Sequence, residues 1–366
     1  MKNFKRLIFL SVFVLCLTSC KKAPEQVLDN KKNYNSNKQV SDFKIKYCTL
    51  NELKKTDISK IKYKNLDLPK EVYLDDIKGI YLFDGRVPKD YLKRKNQILS
   101  EFGLNKSVPL KKDIMRAEKA LVYDSESYLC FLESGEMSYL RDGNKELPSF
   151  DESNSDYYYL YNKKTRKDKK IIEILKQVEK DDKKGLRDSK LDYIPKYIAL
   201  EKNGDSVYVH GTFGYKGIGL LDSYTEKIIK KRISPAKYEY INHIYEKKDS
   251  FTLNHYYQTP GCEVLKTKKV NRIVSLESAV HIVSNKLSGF HKVGIMEIVP
   301  VYMCLKEDKD DEYEYTSGKK LEFRPVYLFK IKYINNDSKY EENSYVNLVV
   351  DMVTGEYFDD LAIRGK

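Results

Sequence analysis

The chain has 366 residues and a net charge of +13, with 41% apolar and 33% charged residues, 31 Tyr, 14 Phe and no Trp. Both signs of charge are interspersed and the apolar share can fill a core, which excludes a wholly disordered chain and one buried throughout in lipid. The basic runs KKTRKDKK (163–170), KIIKKR (227–232) and KTKK (266–269) carry no interleaved aromatics, which speaks against a stacking platform for nucleic acid.

The first element is an export signal. Lys2, Lys5 and Arg6 precede the apolar run Leu7 to Leu17, and small or polar residues then lead to Cys20. The run is too short for a spanning helix, which needs about 20 residues. Leu17-Thr18-Ser19-Cys20 resembles the bacterial lipobox, which implies cleavage after residue 19 and acylation of the Cys20 sulfur. Each buried CH₂ of an acyl chain contributes about 0.8 kcal/mol, and stable anchoring takes two chains. Loss of residues 1–19 removes three positive charges and no acid, leaving +10. Residues 20–40 are rich in Lys and Asn and poor in apolar side chains, so they are expected to form a lipidated flexible tether. About 20 such residues reach about 25 Å.

The body follows. Phe43, Ile45 and Tyr47 alternate with Lys44 and Lys46, the pattern of a half-buried strand. Glu71 to Phe83 holds VYL and IYLF and predicts a strand pair. Pro88 to Phe102 predicts a helix that Gly103 stops. KALVYDSESYLCFLESGEMSYLR predicts a three-stranded antiparallel meander, broken at Asp124-Ser125 and Ser134-Gly135. Lys167 to Lys180 predicts an amphipathic helix with Ile171, Ile174, Leu175 and Val178 inward. The polar stretch 181–190 is the expected joint between an N-terminal lobe (41–190) and a C-terminal lobe (191–366). Asn203-Gly204 and Lys247 to Asp249 each predict a hairpin between flanking strands. Ser275 is placed to cap a helix whose Leu276, Ala279, Val280, Val283 and Leu287 form one face. IMEIVPVYMCL, RPVYLFKIKY and YVNLVVDM then predict three antiparallel strands, with Tyr327, Phe329 and Ile331 on one face and Val346, Leu348 and Val350 on another strand's matching face. The expected fold class is therefore α+β: antiparallel sheets, each covered by one or two helices, in two lobes behind the tether.

The helix at Ser275, the strands after it and the closing VVDMVTGEY resemble the PepSY type of module and the related YycI-like extracytoplasmic regulators over about residues 273–360. Tyr327 takes the place of an aromatic, often Trp, of related proteins. The chain is also similar to uncharacterised secreted lipoproteins of Gram-positive bacteria. Unlike the YycI-like regulators, which begin with a transmembrane helix, this chain begins with a lipobox. The resemblance implies a regulatory or binding module with no catalytic residue to carry over.

Motifs for chemistry are sparse. His210, His243, His255, His281 and His291 form no H-E-x-x-H, although His243 and His255 lie in opposing strands of one predicted hairpin. His281 falls toward the polar side of its helix. Ser234 and Lys237 match S-x-x-K without its companion elements. Gly211, Gly214, Gly217 and Gly219 fit turns or bulges better than a phosphate cradle, which needs a helix start after it. Asp308, Asp310 and Asp311 lack the central Gly and final Glu of a calcium loop. Cys48, Cys130, Cys262 and Cys304 show no C-x-x-C spacing, and Cys130 and Cys304 sit in buried-strand contexts. Cys20 is thus the one expected site residue, a lipidation site, with no catalytic, metal or cofactor residue expected. The leading expectation is a non-catalytic lipoprotein on the extracytoplasmic face of the cell membrane. Its expected partners are the membrane, through the Cys20 lipid, and an envelope protein or anionic envelope polymer. The alternatives are a cell-envelope hydrolase with an unrecognised active site and a solute-binding lipoprotein. The missing β-α-β alternation speaks against the last.

Overall fold

In the computed structural model the described residues are 43–74, 76–86, 95–102, 121–123, 127–131, 137–141, 157–159, 168–182, 190–201, 206–220, 241–247, 251–258, 263–288, 293–305, 320–333 and 344–359. The signal (1–19) and the tether with Cys20 (20–40) lie outside them.

Eighteen strands are described: β1 (Tyr47–Cys48), β2 (Leu66–Asp67), β3 (Tyr81–Arg86), β4 (Leu121–Tyr123), β5 (Ser127–Phe131), β6 (Met137–Arg141), β7 (Tyr157–Tyr159), β8 (Asp192–Glu201), β9 (Ser206–Tyr215), β10 (Ile218–Leu220), β11 (Ile241–Lys247), β12 (Phe251–Gln258), β13 (Glu263–Lys269), β14 (Ile273–Val274), β15 (Val293–Leu305), β16 (Lys320–Tyr333), β17 (Ser344–Asp351) and β18 (Tyr357–Asp359). The described α-helices are α1 (Leu50–Lys54), α2 (Lys95–Glu101), α3 (Lys169–Asp182) and α4 (Leu276–Lys286). The fold is mixed α+β and mostly sheet.

Sixteen strands join one sheet, whose main path runs β13-β3-β16-β15-β10-β9-β11-β12-β6-β5-β4. The meander β4-β5-β6 and the hairpins β8-β9 and β11-β12 form where the sequence predicts them. Two neighbours depart from the antiparallel expectation: β10 and β2 both pair with β15 in parallel. A parallel pair needs a long return path, and the chain between Leu220 and Val293 supplies one for β10. Strands from both sides of the expected joint at 181–190 alternate in this sheet. β3 lies between β13 and β16, and β12 lies beside β6. The joint is therefore not a break in backbone pairing. Asp181 and Asp182, expected in the polar joint, instead end α3 and are buried at 1% and 0% exposure.

The strand expected at VYL (72–74) is absent. Residues 74–80 send Leu74, Ile77 and Ile80 into the core, while their backbone bonds locally (Ile77 N to Leu74 O, 3.2 Å) and to the β9–β10 turn (Lys78 N to Lys216 O, 2.8 Å). The strand expected at 43–47 shortens to Tyr47–Cys48, paired with β14.

Three apolar clusters form among the described residues. The largest gathers the α4 face (Leu276, Ala279, Val280, Val283, Leu287) with Tyr327, Phe329, Ile331, Leu348 and Val350, and extends to Leu53, Phe83 and Phe213. Register explains the C-terminal part: Phe329 is opposite Leu348 and Tyr327 opposite Val350, so their side chains share a face. The reverse face of the same strands is also apolar, with Val301, Met303, Val326, Leu328 and Val349 buried together. The expected single buried face is thus one of two. The third cluster sets Ile171, Ile174 and Val178 of α3 against Ile198, Val207, Val209 and Tyr245.

Aromatic side chains fill the junction where β3 enters. Phe83 stacks on Phe323 with ring centroids 4.5 Å apart and meets the Tyr302 edge at 4.9 Å. The Tyr302 hydroxyl accepts from Tyr81 N at 3.1 Å, which lets a large polar-tipped ring sit in the core. Here the high Tyr content does structural work.

Candidate functional site: the N-terminal strap on helix α4

The first described residues bind the last structural unit. Phe43 stacks on the His281 ring of α4, with centroids 3.6 Å apart and 22° between planes. Ile45 and Cys48 pack against the main core, and Lys46 is held by its backbone: its N donates to Ser278 Oγ at 2.9 Å and its O accepts from Ser275 N at 2.9 Å. α1 follows, started by a capping box in which Thr49 Oγ1 accepts from Glu52 N (3.3 Å) and Glu52 accepts from Thr49 N (2.6 Å). Those bonds to Thr49 hold the Glu52 carboxyl below the usual range. Leu53 and Ile58 are buried, so the chain turns back across α4. Tyr63 Oη then reaches His281 Nδ1 at 3.1 Å, and Asn65 and Ser284 exchange two hydrogen bonds of 2.7 Å. Residues 43–67 are thus a strap over α4, closed by β1 on β14 and β2 on β15.

His281 sits at the centre. Its Nε2 lies 2.8 Å from the Asn285 amide nitrogen. An amide nitrogen only donates, so Nε2 accepts and Nδ1 carries the proton toward Tyr63 Oη. Burial under Phe43 moves its pKa below the ordinary value, and Glu277 opposes that shift. With both ring nitrogens engaged, the imidazole is a structural hub between the strap and α4. Burial also raises the Cys48 thiol, and Cys48 is unpaired, so its environment does not favour a reactive thiolate. His281 lies off the buried stripe of α4, on the side expected to be polar, and the strap covers part of that side.

The other singled-out residues do not converge. The register places His243 opposite Tyr256 and His255 opposite Ile244, so the two histidines are not cross-strand partners. His210 lies on β9, opposite Asn242 and Tyr197. Among the described residues no three His, Cys, Asp or Glu groups could hold a metal ion. His291, Ser234, Lys237, Cys262 and Asp308, Asp310 and Asp311 lie outside the described residues. The glycine cluster makes a hairpin: Lys216 and Gly217, with φ of 53° and 82°, form its two-residue turn, and Gly217 N donates to Asp192 Oδ2 at 3.1 Å.

Two buried polar groups escaped sequence reading. Asp181 accepts from Gln177 Nε2 at 2.7 Å and from Tyr245 Oη at 3.1 Å, and Tyr245 is held far above its usual pKa, chiefly by burial. The signal was present as VEKDD continuing the α3 period, but a doubled acid beside lysines looks like surface. Asp351 is fully buried and accepts from Val353 N (2.6 Å) and Thr354 N (2.9 Å), with Arg324 at 3.3 Å. D-x-x-T-G-E is therefore a self-capped corner rather than a chemical motif. Gly355 at its tip has φ of 77°.

In comparisons with known proteins no family model and no curated protein matches the chain. Among solved structures it is similar to the crystal structure of an uncharacterized protein from Eubacterium rectale ATCC 33656. The TM-score is 0.53 at 14% sequence identity, over 84% of this chain and 96% of that one. At that identity the likeness concerns the fold alone.

Proposed function

We propose that this protein is a lipid-anchored extracytoplasmic lipoprotein whose body is a non-catalytic binding or regulatory module. The observation that carries the reading is the strap. The first described residue, Phe43, is already seated on His281 of α4, so any segment before it leads directly to a fixed point on the body. A flexible tether from an acylated Cys20 would then hold a body of defined orientation within about 25 Å of the bilayer. The non-catalytic half of the reading draws support from His281 and Cys48, whose surroundings engage or quench the groups that chemistry would use.

The order of α4, β15, β16 and β17 is compatible with a PepSY-like or YycI-like module at 273–360. In this reading α3 and α4 mark two helix-covered regions, which share one sheet but have separate apolar clusters. The partner would be an envelope protein or an anionic envelope polymer.

The test is metabolic labelling with palmitate, followed by membrane fractionation of the wild-type chain and a Cys20→Ala form. Label and membrane retention in the wild type, both lost in the variant, are expected. A wild-type chain without label, recovered in the soluble fraction, would overturn the anchor. Hydrolysis of peptidoglycan or peptides by the purified chain would overturn the non-catalytic role.

A further inference from the structure

We propose that two rows of lysines, brought together by His281, form a face for anionic lipid headgroups, so that the body rests on the bilayer by the end at which its chain enters. The proposal extends the lipid-anchor reading above and specifies which surface meets the membrane.

The first row is Lys44 and Lys46, alternating with Phe43 and Ile45. The second is Lys60, Lys62 and Lys64, alternating with Ile61 and Tyr63. All five lysines are exposed, whereas Ile45, Ile61 and Tyr63 pack on the main core. Lys60 closes a 3-10 turn and Lys64 opens a turn before β2, and in both rows the apolar side chains go inward while the lysines stay at the surface. The rows are separate in sequence and meet in space because both seat on one ring: Phe43 stacks on His281 at 3.6 Å and Tyr63 bonds to it at 3.1 Å. Lys46 is paired with Glu277 (3.2 Å) and Lys60 with Asp57 (3.8 Å), but both pairs are exposed and weak. Lys44, Lys62 and Lys64 form no ion pair among the described residues, so no described acid neutralises their charge.

Position decides what such a face meets. Attraction between exposed charges fades over about 8 Å at physiological salt, so a basic face acts on a leaflet only when held close to it. These lysines surround the residue where the tether joins the body, and that corner is the part of the body an anchor at Cys20 holds nearest the bilayer. Juxtamembrane lysines attract anionic leaflets by the same physics.

The test uses the full chain, expressed with its own signal and purified, then mixed with vesicles of phosphatidylcholine alone or with about one-third phosphatidylglycerol. A membrane-impermeant acetylating reagent is added and each lysine is followed by mass spectrometry. Lys176, exposed on α3 in a different apolar cluster, is the internal reference. The expected result is acetylation of Lys44, Lys62 and Lys64 at least about threefold slower on the anionic vesicles, with the difference abolished by high salt. Equal rates on both vesicles, with the chain floating with both, would overturn the lipid face and leave the anchor standing. Flotation with anionic vesicles alone, abolished by Lys44→Gln/Lys62→Gln/Lys64→Gln, would support the face and refute the anchor. Flotation with neither would overturn both. Protection by soluble polyphosphate but not by anionic vesicles would assign the face to an envelope polymer and overturn the lipid proposal.

Discussion

His281 couples the strap to pH. Its pKa in the fold lies below the ordinary 6.5, because burial disfavours the charged ring. The unfolded chain therefore takes up the proton first as pH falls, so the contribution of His281 to stability is complete above the ordinary range and declines as pH drops through it toward the folded value. Geometry agrees, since a doubly protonated ring would lose the bond from Asn285 to Nε2. Hydrogen exchange at the amides of residues 44–48 should accelerate on going from neutral to mildly acidic pH, after correction for intrinsic rates. In His281→Phe, which keeps a ring for Phe43, that pH dependence should vanish. Asp351 is the second decisive residue. Asp351→Ala removes two backbone acceptor bonds from a buried corner, while Arg324 keeps Glu322 at 2.9 Å. A loss of about 2–3 kcal/mol in urea unfolding is expected, and an unchanged midpoint would deny the corner its role.

Among the elements, α3 and α4 bury apolar faces in different clusters. Ile174 and Leu276 are each 1% exposed, so Ile174→Ala and Leu276→Ala should each cost about 2–5 kcal/mol. The clusters meet only through the half-buried Tyr193 and Leu253, so the effects should add within about 0.5 kcal/mol in urea unfolding. A large deviation would show that the two helices stabilise one indivisible core. α4 was the most legible element because its start, stripe and end are all local: Ser275 Oγ accepts from Ser278 N at 3.2 Å, and the five apolar residues named from their spacing are all buried. α3 was legible except at its end, where two acids that local chemistry assigns to water are buried, Asp181 accepting from Gln177 one turn earlier on α3 and from Tyr245 on the distant β11.

In the whole molecule the sheet crosses the expected joint at 181–190 repeatedly. Residues 191–366 by themselves would lack β3, which joins β13 to β16, and β6, which pairs with β12. The aromatic junction would also lose Phe83 from between Phe323, Tyr302 and Tyr215. That fragment should show no cooperative urea transition and weak near-ultraviolet dichroism. A cooperatively folded fragment would restore the two-lobe division as an independent-domain boundary. Strap and sheet together join the first and last described segments into one unit: β1 pairs with β14, and Ile45 lies against Gly355, where a Cβ would stand 2.7 Å from its Cδ1.

The amino-acid sequence by itself determined the hairpins, the meander, the two amphipathic helices and the alternating faces of β16 and β17. Each depends on residues a few positions apart, where turn chemistry and side-chain period act directly. It did not determine that β3 enters the C-terminal sheet, that β15 takes parallel partners, or that Phe43 and Tyr63 close on His281. Those pairings join residues separated by 82 positions (Gly219 with Val301) or by some two hundred and more. Many extended segments with similar β-propensity compete for each sheet edge, and only simultaneous burial of the whole core selects one register.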